Sequence, residues 1–350
     1  MGNNNSLHPA VSGRDPFIDI VRLLTMFFIV VGHVNIRTPM APGASPLLSI
    51  FSAMTLGSGV ALYFCLAGYF SRLNSGWLNW RRARDIFVSM LLWCIIGHFW
   101  FGSLLQLESG NDVCMASLID GRLWNVLGSW DSVGTPGSWD CWFLKVLIPL
   151  VLFSSVLMRL KTSVLVVVCV LSALFGFADY AEKGVPFFLT HKALSGLSFF
   201  SLGIVVRRYV SLEQIRNWVS KIYIWFLVVT IPLAILNFMW YPVVTNKTPL
   251  GVLWGMVYLL CIGMLLCRLM PRFSAWFASF GPGVFFIYMV QEMLIIQCRW
   301  YFTVHPINMH VYVLVPFAIF AVLMFGYAAL RRWMPWACGV VCLAPVKKKA

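Results

Sequence analysis

The chain has 350 residues, of which 60% are apolar and 11% charged, with a formal net charge of +14 at neutral pH. A soluble domain devotes about a quarter of its residues to charge, so a water-facing surface cannot be made from this composition. The basic excess does not indicate a nucleic-acid partner, because the lysines and arginines are scattered among short segments between apolar blocks rather than gathered on one face.

The apolar residues fall into ten blocks of about bilayer-spanning length: 17–36, 47–70, 84–102, 142–159, 162–178, 190–206, 222–240, 250–268, 274–297 and 310–330. With the N-terminus in the cytoplasm, 18 of the 26 basic residues lie in inner segments, among them Arg72, Arg81, Arg82, Arg84, Arg207, Arg208, Arg331 and Arg332. Outer segments hold six, and Arg22 and Lys145 remain within the membrane. This alternation follows the rule that cytoplasmic loops carry the positive charge. The fold class predicted is all-α: a polytopic membrane protein with about ten transmembrane helices and both termini cytoplasmic. A polar tail covers 1–15, a single transmembrane domain covers 16–335 with an outer segment at 103–141, and a basic tail covers 336–350.

The first block, FIDIVRLLTMFFIVVGHVNI, carries Arg22 and His33 eleven residues apart. On a helix that spacing brings them to within about 20° of one line, separated by a rise of roughly 16 Å. Both side chains are costly in hydrocarbon and need a partner or a function. Asp19 can pair with Arg22, which accounts for the arginine and leaves His33 to explain. A neutral imidazole near the outer end can act as a general base; a histidine hydrogen-bonded to a nearby loop is the bland alternative.

After the second block, the loop SRLNSGWLNWRRAR reads as an interfacial helix entering the third span. Arginines are expected here from topology alone. Arg81 and Arg84, one turn apart on one face, also suit a polyphosphate, since each guanidinium makes bidentate contacts. His98 follows near the outer end of this span and either faces a cavity or packs at the interface. The outer segment 103–141 mixes Gly, Ser, Asp and Trp and reads as a cover over the outer mouth. Lys145 opens the fourth span, and Glu292 lies in the ninth. The two either pair or line a polar cavity, with Tyr288 on the face of Glu292 and Gln291 bordering it. Pro149, Pro232, Pro282 and Pro316 fall within spans, where kinks are tolerated.

The cysteines in apolar blocks read as small hydrophobes, and Cys114–Cys141 is one pairing open to the outer ones. No metal spacing, Walker loop or dinucleotide fingerprint occurs, so neither a metal nor a tightly bound cofactor is expected.

Several segments, in order, resemble the type 3 acyltransferase family of integral membrane enzymes that acylate sugars and related acceptors. Arg22 and His33 keep the family's interval of an arginine, ten residues and a histidine. LYFCLAGYF resembles its second-span ending, with Ala67 where serine usually precedes the glycine. Arg81 and Arg84 match its arginine pair, and SWDCWFLKVLI its tryptophan-phenylalanine-leucine block. LSFFSLGIVVRR resembles its sixth-span ending, and FGPGVFFIYMVQE its tyrosine-containing late span, where many relatives have a histidine at the position of Gln291.

The resemblance implies ten core spans, cytoplasmic termini and an acyl-CoA donor, with acetyl-CoA the first expectation. Arg81 and Arg84 would hold the CoA phosphates, Arg22 would line the donor channel, and His33 would take the proton of an acceptor hydroxyl on the outer side. Lys145, Tyr288, Gln291, Glu292 and His98 are weaker candidates for binding the acceptor or lining its cavity. The expected acceptor is a glycan, a glycolipid or a small hydroxyl compound, as in polysaccharide modification. The expected setting is the bacterial cytoplasmic (inner) membrane, with lipids as the surrounding partner. A transporter or flippase using Arg22, Lys145 and Glu292 as passage residues is the alternative. Such proteins often show inverted repeats, and none is detectable here.

Overall fold

The structure is a computed structural model that describes residues 15–37, 46–73, 76–109, 141–178, 189–240, 248–305, 312–341 and 343. These residues are mostly helical, without a strand among them. In chain order the helices are α1 (Pro16–Arg37), α2 (Pro46–Tyr69), α3 (Trp80–Ser109), α4 (Cys141–Leu152), α5 (Ser154–Arg159), α6 (Thr162–Gly176) and α7 (His191–Tyr209). They continue with α8 (Leu212–Trp240), α9 (Pro249–Leu269), α10 (Pro271–Ala278), α11 (Val284–Val304), α12 (Val315–Trp333) and α13 (Pro335–Val341).

Local chemistry sets many helix starts. Asp15 accepts from the amide of Phe17 at 2.9 Å and Pro16 opens α1, the residue types favoured at the cap and first position. Ser211 and Gln214 bond each other's backbone amides in a capping box before α8. Thr248 caps α9 ahead of Pro249. Pro316 falls in the first turn of α12, where its missing N–H costs nothing, so it opens a helix rather than kinking one.

Among the described residues, α1, α9, α11 with its leading turn, and α12 are long and apolar enough to cross a membrane. The pair α7–α8, bent by 98°, would make a fifth, and part of α2 with α4 and α6 form shorter apolar helices. The fourth and ninth apolar blocks are each divided. Pro149 lies inside α4 and gives no N–H to the carbonyl of Lys145 one turn back; the helix stops at Leu152 and resumes as α5. The ninth breaks into α10, a 3₁₀ turn at Gly281–Gly283 and α11. In the loop expected to be an interfacial helix, residues 71–73 and 76–79 are not helical, and α3 begins only at Trp80. Beyond α12, α13 folds back onto α3, where Ser89 donates to the carbonyl of Val340 and Cys338 is buried.

The core is organised around α1. In its most apolar window 83% of residues are buried, against 39–56% for α9, α11 and α12. A helix with most of its surface apolar and buried belongs inside a bundle, and α2, α9, α10, α11 and α12 pack on it. Gly59 of α2 faces Thr25 and Ile29 while Tyr63 reaches back to the carbonyl of Arg22, so α2 runs antiparallel to α1. Gly281 meets Asp19 and Glu292 meets His33, so α11 runs beside α1 in the same direction.

Helices α2 and α7 cross at backbone contact. A Cβ on Gly68 would overlap the carbonyl of Phe200, and one on Gly203 the carbonyl of Cys65. Small residues permit this approach, which in lipid replaces hydrophobic driving force with close packing. The contact fixes α2 and brings Arg207 of α7 to the end of α2, where it donates to the carbonyls of Tyr69 and Ser71. Cys65, Cys169, Cys261, Cys267, Cys298 and Cys338 are free thiols; a Cys114–Cys141 bridge lies outside the described residues, as does most of segment 103–141.

Candidate active site

Five helices close a ring: α1 packs on α2 and α11, α4 on α2 and α3, and α3 on α11. Every residue singled out from the sequence lies on one of them. Arg22 and His33 are on α1, Arg81, Arg84 and His98 on α3, Lys145 on α4, and Tyr288, Gln291 and Glu292 on α11. The side chain of His98 is outside the described residues, and Lys145 is half-buried among the buried residues Leu144 and Val146.

At the far end of α1, His33 Nδ1 lies 3.7 Å from Glu292 Oε2. The carboxylate side chain is only 3% exposed and the imidazole 18%, so the pair is shielded from bulk water while the histidine keeps an open edge. With Nδ1 toward the carboxylate, Nε2 lies on the opposite edge of the ring. The distance is an electrostatic contact rather than a hydrogen bond. Two neighbours hold this end. Gln291, wholly buried, precedes Glu292, and Tyr312 donates to the carbonyl of Val34 at 3.0 Å. That carbonyl belongs to the last turn of α1, which has no intrahelical donor of its own. The Tyr312 bond therefore fixes the turn that carries His33.

Near the other end, Arg22 is 41% exposed although Val21 and Leu23 beside it are fully buried. Its guanidinium lies 3.7 Å from Asp19, which is itself packed against Gly281 at the turn before α11. A side chain there would fall 2.6 Å from the Asp19 carboxyl carbon, so glycine is required for the approach. The charge of Arg22 is felt at the start of α3. Burial first, then the charges of Arg22 and Arg72, push the Arg82 guanidinium below its ordinary value. Arg82 nonetheless keeps open surface, the combination expected of a residue on the wall of a cleft. The guanidinium charges of α1 and of the segment after α2 thus both act on the start of α3. Like charges so arranged repel, and a multivalent anion is their natural counterion.

The arginine pair read from the sequence is divided by the structure. Arg84 turns to its neighbour Asp85, with Nη2 2.9 Å from the carboxylate, both side chains exposed. Arg81 is exposed on the same turn. The adjacent acid in RRARD was the available sign that Arg84 has a local partner. Arg72 had no such sign, because its place depends on the Arg207 bonds that hold Ser71.

A family model described as an acyltransferase domain matches residues 15–331, a span that includes the whole ring and both of its ends. The chain belongs to the type 3 acyltransferase family. No curated protein and no solved structure matches it. Family membership together with the apolar helices makes this a membrane acyltransferase. In this acyltransferase the matching segments have distinct tasks. The segment FIDIVRLLTMFFIVVGHV supplies both Arg22 and His33, while LYFCLAGYF and LSFFSLGIVVRR supply Gly68 and Gly203, which lock α2 to α7. FGPGVFFIYMVQE supplies the tight turn at Gly281 and, three turns on, the carboxylate at His33. Among the described residues, no group of His, Cys, Asp and Glu could hold a metal ion.

Proposed function

We propose that this protein is an O-acyltransferase that takes an acyl group, acetyl first, from cytoplasmic acyl-CoA. It passes that group to a hydroxyl of a glycan, glycolipid or small acceptor at the outer side of a bacterial cytoplasmic membrane. The observation that carries the reading is the pairing of His33 with the buried Glu292 at one end of a helical ring whose other end gathers Arg22, Arg72 and Arg82. An imidazole beside a carboxylate is the arrangement of a general base with an orienting acid, and clustered guanidinium groups suit the phosphates of CoA.

In this reading Arg82, Arg22 and Arg72 hold the donor phosphates, with Arg81 and Arg84 extending the basic surface toward solvent. The pantetheine arm then spans the roughly 16 Å between Arg22 and His33. Nε2 of His33 accepts the hydroxyl proton as the oxygen attacks the thioester carbonyl. The carbon–sulfur bond breaks, an oxygen ester forms, and the CoA thiolate leaves and takes up a proton. Glu292 keeps Nδ1 protonated and offsets the imidazolium charge that develops. Lys145, Gln291, Tyr288 and His98 remain candidates for the acceptor side. The arrangement requires both termini to be cytoplasmic, and the shared direction of α1 and α11 is consistent with spans of the same sense. The family assignment lends no support to the transporter alternative.

The test uses membrane vesicles from cells expressing the protein, which carry the acceptor, incubated with acetyl-CoA labelled in the acetyl group. Label should enter the vesicle glycan or lipid fraction above that of cells lacking the protein, and should not do so for His33→Ala. Equal incorporation in the presence and absence of the protein would overturn the reading. Reporter fusions at each end, with either end outside, would overturn the direction of transfer.

A further inference from the structure

Between the arginine end and the His33 end, three aromatic rings join separate helices of the ring. The Tyr63 ring of α2 lies 6.2 Å from that of Phe143 on α4, and Phe143 lies 5.5 Å from Tyr288 on α11, both edge to face. At these separations such rings are in contact, and no methylene chain passes between them. Both outer members are tied to the site. Tyr63 donates to the carbonyl of Arg22 at 2.5 Å. Tyr288 stands one turn before Glu292 and so about 6 Å short of the base along α11. Phe143 is also in contact with Phe64, at 4.6 Å, and Trp142, at 6.4 Å.

We propose that this arc, with Phe143 at its centre, is the seat of the transferred acyl group and limits it to two carbons or little more. The inference rests on the reading that an acyl-CoA arm runs from Arg22 to His33. A thioester carbonyl offered to an oxygen beside His33 must place its substituent within the ring of helices, where Tyr288 and Phe143 stand on the side approached. A methyl group rests on those ring faces. A longer chain has to separate Phe143 from Tyr288, at the expense of the contacts that Phe143 makes with Phe64 and Trp142. Tyr63 and Phe143 are specificity-determining residues, with no part in proton transfer.

The experiment compares acetyl-, butyryl- and hexanoyl-CoA, each labelled in the acyl group, in membranes carrying the wild-type chain, Phe143→Ala or Phe143→Leu. The wild type should transfer acetyl at least tenfold faster than hexanoyl, and Phe143→Ala should move the hexanoyl-to-acetyl ratio at least tenfold toward hexanoyl. Phe143→Leu, which retains more packing, should move it in the same direction by a smaller factor. Hexanoyl transfer by the wild type at a rate equal to acetyl would overturn the proposal without either variant being needed. An unchanged ratio in a variant that still transfers acetyl would also overturn it, leaving the donor reading intact. Absence of transfer from all three thioesters by the wild type would instead remove the proposed function, and this inference with it.

Discussion

Glu292→Gln tests the central pair most sharply, because it keeps the shape of the side chain and removes only its charge. The carboxylate lies 3.7 Å from His33 Nδ1. Coulomb's law at that distance with an effective dielectric of about 20 gives roughly 4.5 kcal/mol between full unit charges. The imidazolium is only partly formed in the transition state, so half to two-thirds of this, about 2–3 kcal/mol, is lost from transition-state stabilisation. At about 1.4 kcal/mol per tenfold, the expected fall in kcat is roughly 30- to 150-fold, with the KM for acetyl-CoA within about twofold of wild type. The assay is label transfer from acetyl-CoA in vesicles carrying matched amounts of each protein, as measured by immunoblot, with monodisperse elution in detergent as the check on folding. Glu292→Asp, which restores charge at a longer reach, should recover part of the rate. If the glutamine variant keeps more than a fifth of wild-type kcat, the charge of Glu292 does not stabilise the imidazolium, and the electrostatic role of the pair is refuted.

His33→Ala should lower transfer by about 10² to 10⁴, the usual worth of a positioned acid–base group, while the dissociation constant for CoA, read by calorimetry on purified protein, stays within threefold. Arg82→Ala should weaken CoA binding by tenfold or more, since a charge-assisted contact contributes about 1.5–3 kcal/mol; Arg84→Ala, whose side chain is engaged by Asp85, should change it less than threefold. Gly203→Ala should lower the thermal unfolding midpoint in detergent, because its Cβ meets the Cys65 carbonyl and backbone cannot yield as a side chain can; overpacking of this kind costs about 1–3 kcal/mol. Gly326→Ala, whose Cβ would make only ordinary contact with the Phe286 ring at 3.7–3.8 Å, is the control and should leave the midpoint almost unchanged.

The sequence alone was enough for the helical membrane class, for the family, and for α1 as the helix that carries both Arg22 and His33. Those conclusions depend on local quantities: the length of an apolar run, the cost of a charge within it and the pitch of a helix. Helix starts such as Asp15-Pro16 and Thr248-Pro249 are local in the same way, since a cap is made by residues adjacent in the chain. The division of the fourth apolar block was less so. Pro149 marked a weak point, yet where the helix stopped depended on what packed against it.

The tertiary structure decided which charges meet. Glu292 could be read as the partner of Lys145 or as part of a cavity, and 259 residues separate it from His33 (292 − 33). No periodicity reaches across that interval. Their contact depends on Gly281 permitting α11 to start against Asp19 and then run parallel to α1. Arg82 rather than Arg84 acts on Arg22 because the packing of α3 against α4, α11 and α13 sets which face of its first turn meets α1. Helical pitch orders residues along one face, whereas the choice between faces is made by the neighbouring helices that pack on it, and those are specified by glycine contacts and side-chain shape distributed over the whole chain.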